Sequence, residues 1–222
     1  MNYVSKVLAV IDKDVRSEYR SKYALNSALL FCVTSLVVVS FSLGGSVTDP
    51  RLQAALLWII LFFSSMMSLP RAFVKEQDCG TMNTLRLTCE PSQVFIGKMI
   101  INLLLLSVVT AIVSPLFFIL FNISPPHPGF FIITAASAAV GLSAVCTLLS
   151  AIVAQARARG TLFPVLAFPV LMPVFMVAVE ATGKSLLPQS PWANSQLLVF
   201  LACYAVVGIV GGSLLFEFVF NE

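Results

Sequence analysis

Val94-Phe-Ile-Gly-Lys-Met-Ile-Ile-Asn-Leu-Leu-Leu-Leu-Ser-Val-Val-Thr-Ala-Ile-Val-Ser-Pro-Leu-Phe-Phe-Ile-Leu-Phe121 holds a single charged residue, Lys98, close to its start. A bilayer hydrocarbon core of about 30 Å is crossed by about 20 mostly apolar residues in a helix. This run exceeds that length, leaving room for tilt or an interfacial first turn. Five other runs have the same character: Tyr23 to Leu43, Leu52 to Leu69, Phe130 to Ala154, Thr161 to Val179 and Leu197 to Phe220. The expected fold is an all-α polytopic membrane protein of six spans, a single domain covering residues 1–222. The whole-chain composition agrees. Of 222 residues, 59% are hydrophobic and 10% charged, with a mean hydropathy of +0.97. Soluble domains run nearer 45–50% apolar and about 25% charged.

The few charges are unevenly placed. An arm, residues 1–22, carries Lys6, Lys13, Arg16, Arg20 and Lys22. The second connection and its edges add Arg71, Lys75, Arg86 and Lys98, and the fourth adds Arg157 and Arg159. Only Arg51 and Lys184 fall on the opposite side. Positively charged connections stay in the cytoplasm, so both termini are expected there. The arm repeats Val4, Val7, Leu8, Ile11 and Val15 at helical spacing, which predicts an amphipathic helix on the inner leaflet. Lys98 and Arg71 mark inner span ends and are expected to reach the headgroups along their stems.

Ion-coupled transporters place ionisable groups at mid-membrane; here Glu180 and Glu217 lie only near span ends. The lone histidine, His127, sits in a Pro-rich connection, and neither a His-Glu-x-x-His nor a Gly-x-Ser-x-Gly pattern occurs. Gly97-Lys98 lacks the upstream glycine of a phosphate-binding loop, so ATP, if it is the energy source, must be bound by another chain. Cys32, Cys79, Cys89, Cys146 and Cys203 form no metal-ligand spacing. No metal, no directly bound cofactor and no nucleic-acid partner are expected.

Packing and bending signals remain. Gly208 and Gly212 form a Gly-x-x-x-Gly frame, which suits either a face inside the bundle or a contact between two copies. Pro164, Pro169 and Pro173 fall within one span and each removes a backbone donor. The expectation is an irregular span facing protein or a cavity.

The longest connection is the most polar: Leu69-Pro-Arg-Ala-Phe-Val-Lys-Glu-Gln-Asp-Cys-Gly-Thr-Met-Asn-Thr-Leu-Arg-Leu-Thr-Cys-Glu-Pro91. Gly80 can turn the chain. Met82 and Leu85 then lie three apart, predicting a short helix along the inner surface, closed by Pro91. That helix suits either a structured loop or docking of a soluble partner.

Here the chain resembles the permeases of type-2 ABC exporters, and within them the CcmB family of cytochrome c maturation. The resemblance runs along nearly the whole chain. It rests on Lys13-Asp14-Val15-Arg16 with Arg20, on Leu57-Trp58-Ile59, and on Leu69-x-Arg71-x-Phe73 with Glu76. Gly80-Thr-Met82, Leu85-x-Leu87, Pro91, Pro169 and Pro173 complete it. Asn83 and Cys79 stand where acidic residues are common in the family. The resemblance implies a permease of a bacterial inner membrane, or the mitochondrial one for an organellar chain. It also implies a separate ATPase subunit (CcmA-like), CcmC- and CcmD-like membrane subunits, a CcmE-like haem chaperone, and haem as the cargo class. Arg71, Phe73, Glu76, Gly80, Met82, Leu85, Leu87 and Pro91 would then form the partner-docking segment, beside Asp14, Arg16 and Arg20 of the arm. Two alternatives stay open: a type-2 exporter of lipid, drug or polysaccharide, and a non-transporting scaffold.

Overall fold

The computed structural model describes residues 3–44, 49–69, 71–78, 80–155 and 159–221. Cys79 and Arg157, both weighed above, lie outside the described residues. Among the described residues the regular structure is helical: α1 (Tyr3–Ser21), α2 (Tyr23–Ser42), α3 (Pro50–Ser68), α4 (Arg71–Asp78), α5 (Met82–Thr88), α6 (Pro91–Leu120), α7 (Pro128–Gln155), α8 (Arg159–Ser185) and α9 (Gln196–Asn221), with a 3-10 turn at Pro191–Asn194. Six of them, α2, α3 and α6 to α9, are long and apolar enough to cross a membrane.

Local chemistry sets the helix boundaries. Lys22 adopts a left-handed conformation (φ 50°) between α1 and α2. The Glu18 carboxylate accepts from the backbone N–H groups of Ala24 and Leu25 at 3.0 and 3.2 Å. It thereby satisfies two of the donors that open α2. Asp49 caps α3, with Pro50 at its first position. Pro91 does not close α5 as expected. It opens α6, behind a reciprocal capping box between Glu90 and Gln93, because a proline at the first helical position loses no bond.

α7 occupies the centre and packs against α9, α8, α6 and α4. Its small residues allow this. Gly141 lies under the Tyr204 ring of α9, 3.1 Å from where a Cβ would stand, and Gly208 lies against Ala144 and Val145 at 3.4 Å. Gly212 faces Phe95 of α6, where an added Cβ would approach to 2.6 Å. The Gly-x-x-x-Gly frame of α9 is therefore a packing face within the chain.

α8 runs further than the sequence suggested, to Ser185 rather than Val179. Ala181, Thr182 and Ser185 are buried, and the Thr182 hydroxyl accepts from Trp58 Nε1 at 2.9 Å. Polar Thr182, Gly183 and Lys184 read as loop because their tertiary partners on α3 are invisible in a hydropathy profile. Thr182→Val should leave the indole N–H without an acceptor. The expected cost is about 1–3 kcal/mol, read as a lowered unfolding temperature in detergent.

The three prolines of α8 lie inside one continuous helix. Phe163, Ala167, Leu171, Val174 and Ala178 form the buried stripe, while Pro164, Pro169 and Pro173 occupy the exposed face. A ring on the outer face displaces no neighbour. In the same stretch the Tyr204 hydroxyl donates to the Val170 carbonyl at 2.7 Å.

Candidate functional site

The polar connection folds back on the bundle as two short helices joined at Gly80, whose φ of +67° suits a residue without a Cβ. α4 had not been expected as a helix. The segment packs through Phe73, Met82 and Leu85 into a second apolar cluster with Val10, Val94, Phe95, Met99, Phe216 and Phe220. Phe73 is fully buried, its ring 5.3 Å from that of Phe216. The Arg86 guanidinium lies 5.8 Å from the Phe220 ring centre, a distance suited to a cation–π contact.

α1 crosses α6 where Gly97 leaves room. An added Cβ at Gly97 would come within 2.8 Å of the Val10 side chain. Val7 and Val10 are buried, whereas Val4, Leu8 and Val15 of the amphipathic pattern are exposed. The apolar face is split, part spent on α6 and part left outward.

At this crossing four charges converge. Lys98, only 2% exposed, lies 2.8 Å from Asp14 of α1 and 2.9 Å from Glu76 of α4. Its ammonium also sits 5.6 Å from the Phe73 ring centre. Lys13 pairs with Glu76 and lies 3.5 Å from Asp14, and the Thr81 hydroxyl donates to Glu76. Two carboxylates and two ammonium groups make a formally neutral cluster. Burying any one of them alone would cost several kcal/mol.

Burial would raise the Glu76 carboxyl. The Lys98 ammonium and hydrogen bonds from Lys13, Lys98 and Thr81 outweigh it and hold the group at about 2, below its ordinary 4.5. Burial likewise opposes the charge on Lys13, but Glu76 and Asp14 raise its pKa above the ordinary 10.5. The signs define a plateau. A depressed carboxyl contributes stability above its unfolded value and loses it as pH falls through the folded one. A raised lysine contributes fully below its unfolded value and loses that contribution as pH rises from there through the folded one. Unfolding temperature should therefore be flat from about pH 5 to 10 on account of this cluster. Acid loss falls between 4.5 and about 2, and Glu76→Gln should remove that loss.

The polar contacts continue one turn along α6, where Asn102 donates to Thr147 of α7 at 2.8 Å. Thr147 in turn donates to the Ser143 carbonyl at 2.6 Å. Both Asn102 and Thr147 are buried.

The residues singled out in the sequence separate into three groups. Asp14 and Glu76 come together although they lie on different elements, and Lys98 joins them. The expectation that Lys98 reaches the headgroups is overturned, since two carboxylates hold it inward. Its signal was Asn102 four residues on, a second polar residue on the same face of an apolar helix. Phe73, Met82 and Leu85 are buried within the chain, where they hold the segment against the bundle. Pro91 starts α6, and Arg71 starts α4. On the outside remain Leu87, 88% exposed, and Gly80. Arg16, paired with Asp12 at 2.9 Å, and Arg20 at the last turn of α1 also face outward.

Comparison with known proteins places this arrangement. "Heme exporter protein B" of Bradyrhizobium diazoefficiens is 23% identical over 202 residues, which cover 90% of this chain and 91% of that one. The proteins of the same name from Paracoccus denitrificans and Rhodobacter capsulatus are 24% and 22% identical, over 87% and 79% of this chain and 88% and 82% of theirs. The family model described as CcmB protein matches residues 5–211, from the first turns of α1 to the glycines of α9. The match takes in five spans whole, the sixth as far as residue 211, nearly all of the α1 strap and the folded-back α4–α5 segment, and the chain belongs to the CcmB family.

Proposed function

We propose that this chain is the membrane permease subunit of an ABC haem exporter, driven by ATP hydrolysis on a separate subunit. The observation that carries the coupling role is the placement of Leu87. It stands 88% exposed on α5, while the α4–α5 segment beneath it is anchored by Glu76 to Lys98 of a spanning helix. A large apolar side chain held outward on a fixed support is a suitable knob for a partner surface. Motion imposed there is transmitted through Glu76 to α6 and α1 together, since both contribute to the same ion cluster. The end of the bundle bearing α1, α4 and α5 is cytoplasmic in this reading, as the excess of lysine and arginine supports. The membrane is an inner membrane, residues 1–222 act as one permease domain, and the ATPase is CcmA-like. CcmC-, CcmD- and CcmE-like proteins complete the complex, and haem is the cargo class whose delivery or chaperone release ATP drives.

Leu87→Asp tests the reading. Membranes carrying the full chain and the partner ATPase should lose about 90% of co-purified ATPase, a tenfold change that corresponds to about 1.4 kcal/mol. The unfolding temperature of the chain should be unchanged, because Leu87 touches solvent. Haem-stained c-type cytochromes should fall in parallel in a deletion strain complemented with the variant. Undiminished co-purification would reject Leu87 as the contact. Normal cytochrome staining in the deletion strain would reject the haem-export assignment.

A further inference from the structure

The opposite end of the bundle is nearly devoid of charge. Among the described residues, the charged ones at this end are Arg51, Lys184, Asp49 and Glu180. They come from the start of α3 and the end of α8, far apart in sequence, yet all four line one cleft with Pro50, Gly183 and Leu187. Scattered surface charges would not be expected to collect in this way.

The floor of the cleft is fixed. Gly183 of α8 is buried against α3, where a Cβ would make ordinary van der Waals contact with the Arg51 Cα at 3.5 Å and the Pro50 carbonyl oxygen at 3.7 Å. One residue away, the buried Trp58–Thr182 hydrogen bond clamps the same two helices. Asp49 is engaged as the cap of α3, accepting from the Arg51 N–H at 3.0 Å. The Glu180 carboxylate, the Arg51 guanidinium and the Lys184 ammonium form no salt bridge among the described residues. One acid and two bases thus face the cleft uncommitted.

We propose that this cleft binds the headgroup of a phospholipid bearing both a phosphate and a primary amine, such as phosphatidylethanolamine. A guanidinium and an ammonium together suit a phosphate, and Glu180 suits the amine. A simple anion would meet Glu180, and a simple cation would meet Arg51 and Lys184. The position at the ends of two spans is headgroup depth. One turn below Glu180 on the same helix face stands Met176, 68% exposed, and Pro173 follows it, also exposed. Together they give an acyl chain an apolar track descending from the cleft. This lipid site is independent of the ATPase contact proposed for the other end.

Native mass spectrometry of the full chain tests the proposal, with phosphatidylethanolamine, phosphatidylglycerol or inorganic phosphate added in turn. The intact chain should retain phosphatidylethanolamine in preference to phosphatidylglycerol. The double variant Arg51→Ala/Lys184→Ala should lose that retention about tenfold, as expected for removing charge-assisted contacts. Glu180→Lys should reverse the preference towards phosphatidylglycerol, a gain that misfolding does not produce. Equal retention of the two lipids by the intact chain, or undiminished retention by the double variant, would overturn the proposal. So would inorganic phosphate binding as tightly as the lipid, which would make the cleft a plain anion site.

Discussion

Lys98→Met should destabilise the protein by about 3–5 kcal/mol, the range for removing one member of a buried ion pair. The lysine is buried between Asp14 and Glu76 at 2.8 and 2.9 Å. Without it two carboxylates share a site with Lys13 alone, and Lys13 is the more exposed of the two lysines. The released charge strains three elements at once, since Asp14 belongs to α1 and Glu76 to α4. The loss comes from the charge left behind rather than from the lysine's net worth. The compensated double variant Glu76→Gln/Lys98→Met leaves Asp14 paired with Lys13 and should therefore recover most of the stability. Thermal unfolding in detergent across wild type, the two single variants and the double one measures this. An additive double variant would show that the two residues act separately, against the geometry. The functional readout should separate from stability. The double variant should fold yet transmit poorly, with ATP hydrolysed by the partner at near-normal rate and c-type cytochrome assembly reduced.

Gly97→Val should have the next largest effect, about 1–3 kcal/mol or more from overpacking. Its first added carbon would stand 2.8 Å from Val10 Cγ1 and 3.1 Å from Val10 Cβ. Val10 is buried, and its β-carbon cannot swing away as the tip of a long side chain could. α1 must therefore lift from α6, and Asp14, one turn further along α1, leaves Lys98. Faster proteolysis of α1 in the variant, with the spanning core intact, is the expected result. Gly211→Val serves as control, since nothing stands within 4 Å of a Cβ there. Equal protease resistance of Gly97→Val and wild type would show that α1 is held elsewhere.

These two predictions rest on facts of very different visibility. The spans were legible almost to the residue. Val94 to Phe121 became α6, Pro91–Leu120, and Tyr23 to Leu43 became α2, Tyr23–Ser42. Hydropathy reports a property that each residue carries independently of its partners, and the bilayer imposes the length. α8 was underestimated because its last turns are polar and are stabilised by Trp58, more than a hundred positions away. The side on which the prolines stand was hidden for a related reason. Their number in sequence is local information, but the side of the helix they occupy matters only relative to a neighbour.

The site was half legible. Asp14 and Glu76 were marked individually, and Gly80 was marked as a turn. Lys98 was marked too, but for the membrane surface, because a lysine near a span end ordinarily snorkels there. Which carboxylates meet it depends on α1 crossing α6 at Gly97 and on α4 folding back beneath the bundle. Neither event leaves a periodic trace. Likewise, nothing in the chain order suggests that Arg51 and Lys184 share a cleft.

Composition, hydropathy period and the asymmetry of lysine and arginine suffice for class, span number and expected orientation, because each sums single-residue transfer energies. The pairing of buried charges, the direction of the α9 glycines and the exposed face of α8 required the folded chain. They are set by contacts between residues remote in sequence, and the energy of such a contact exists only when both partners are in place.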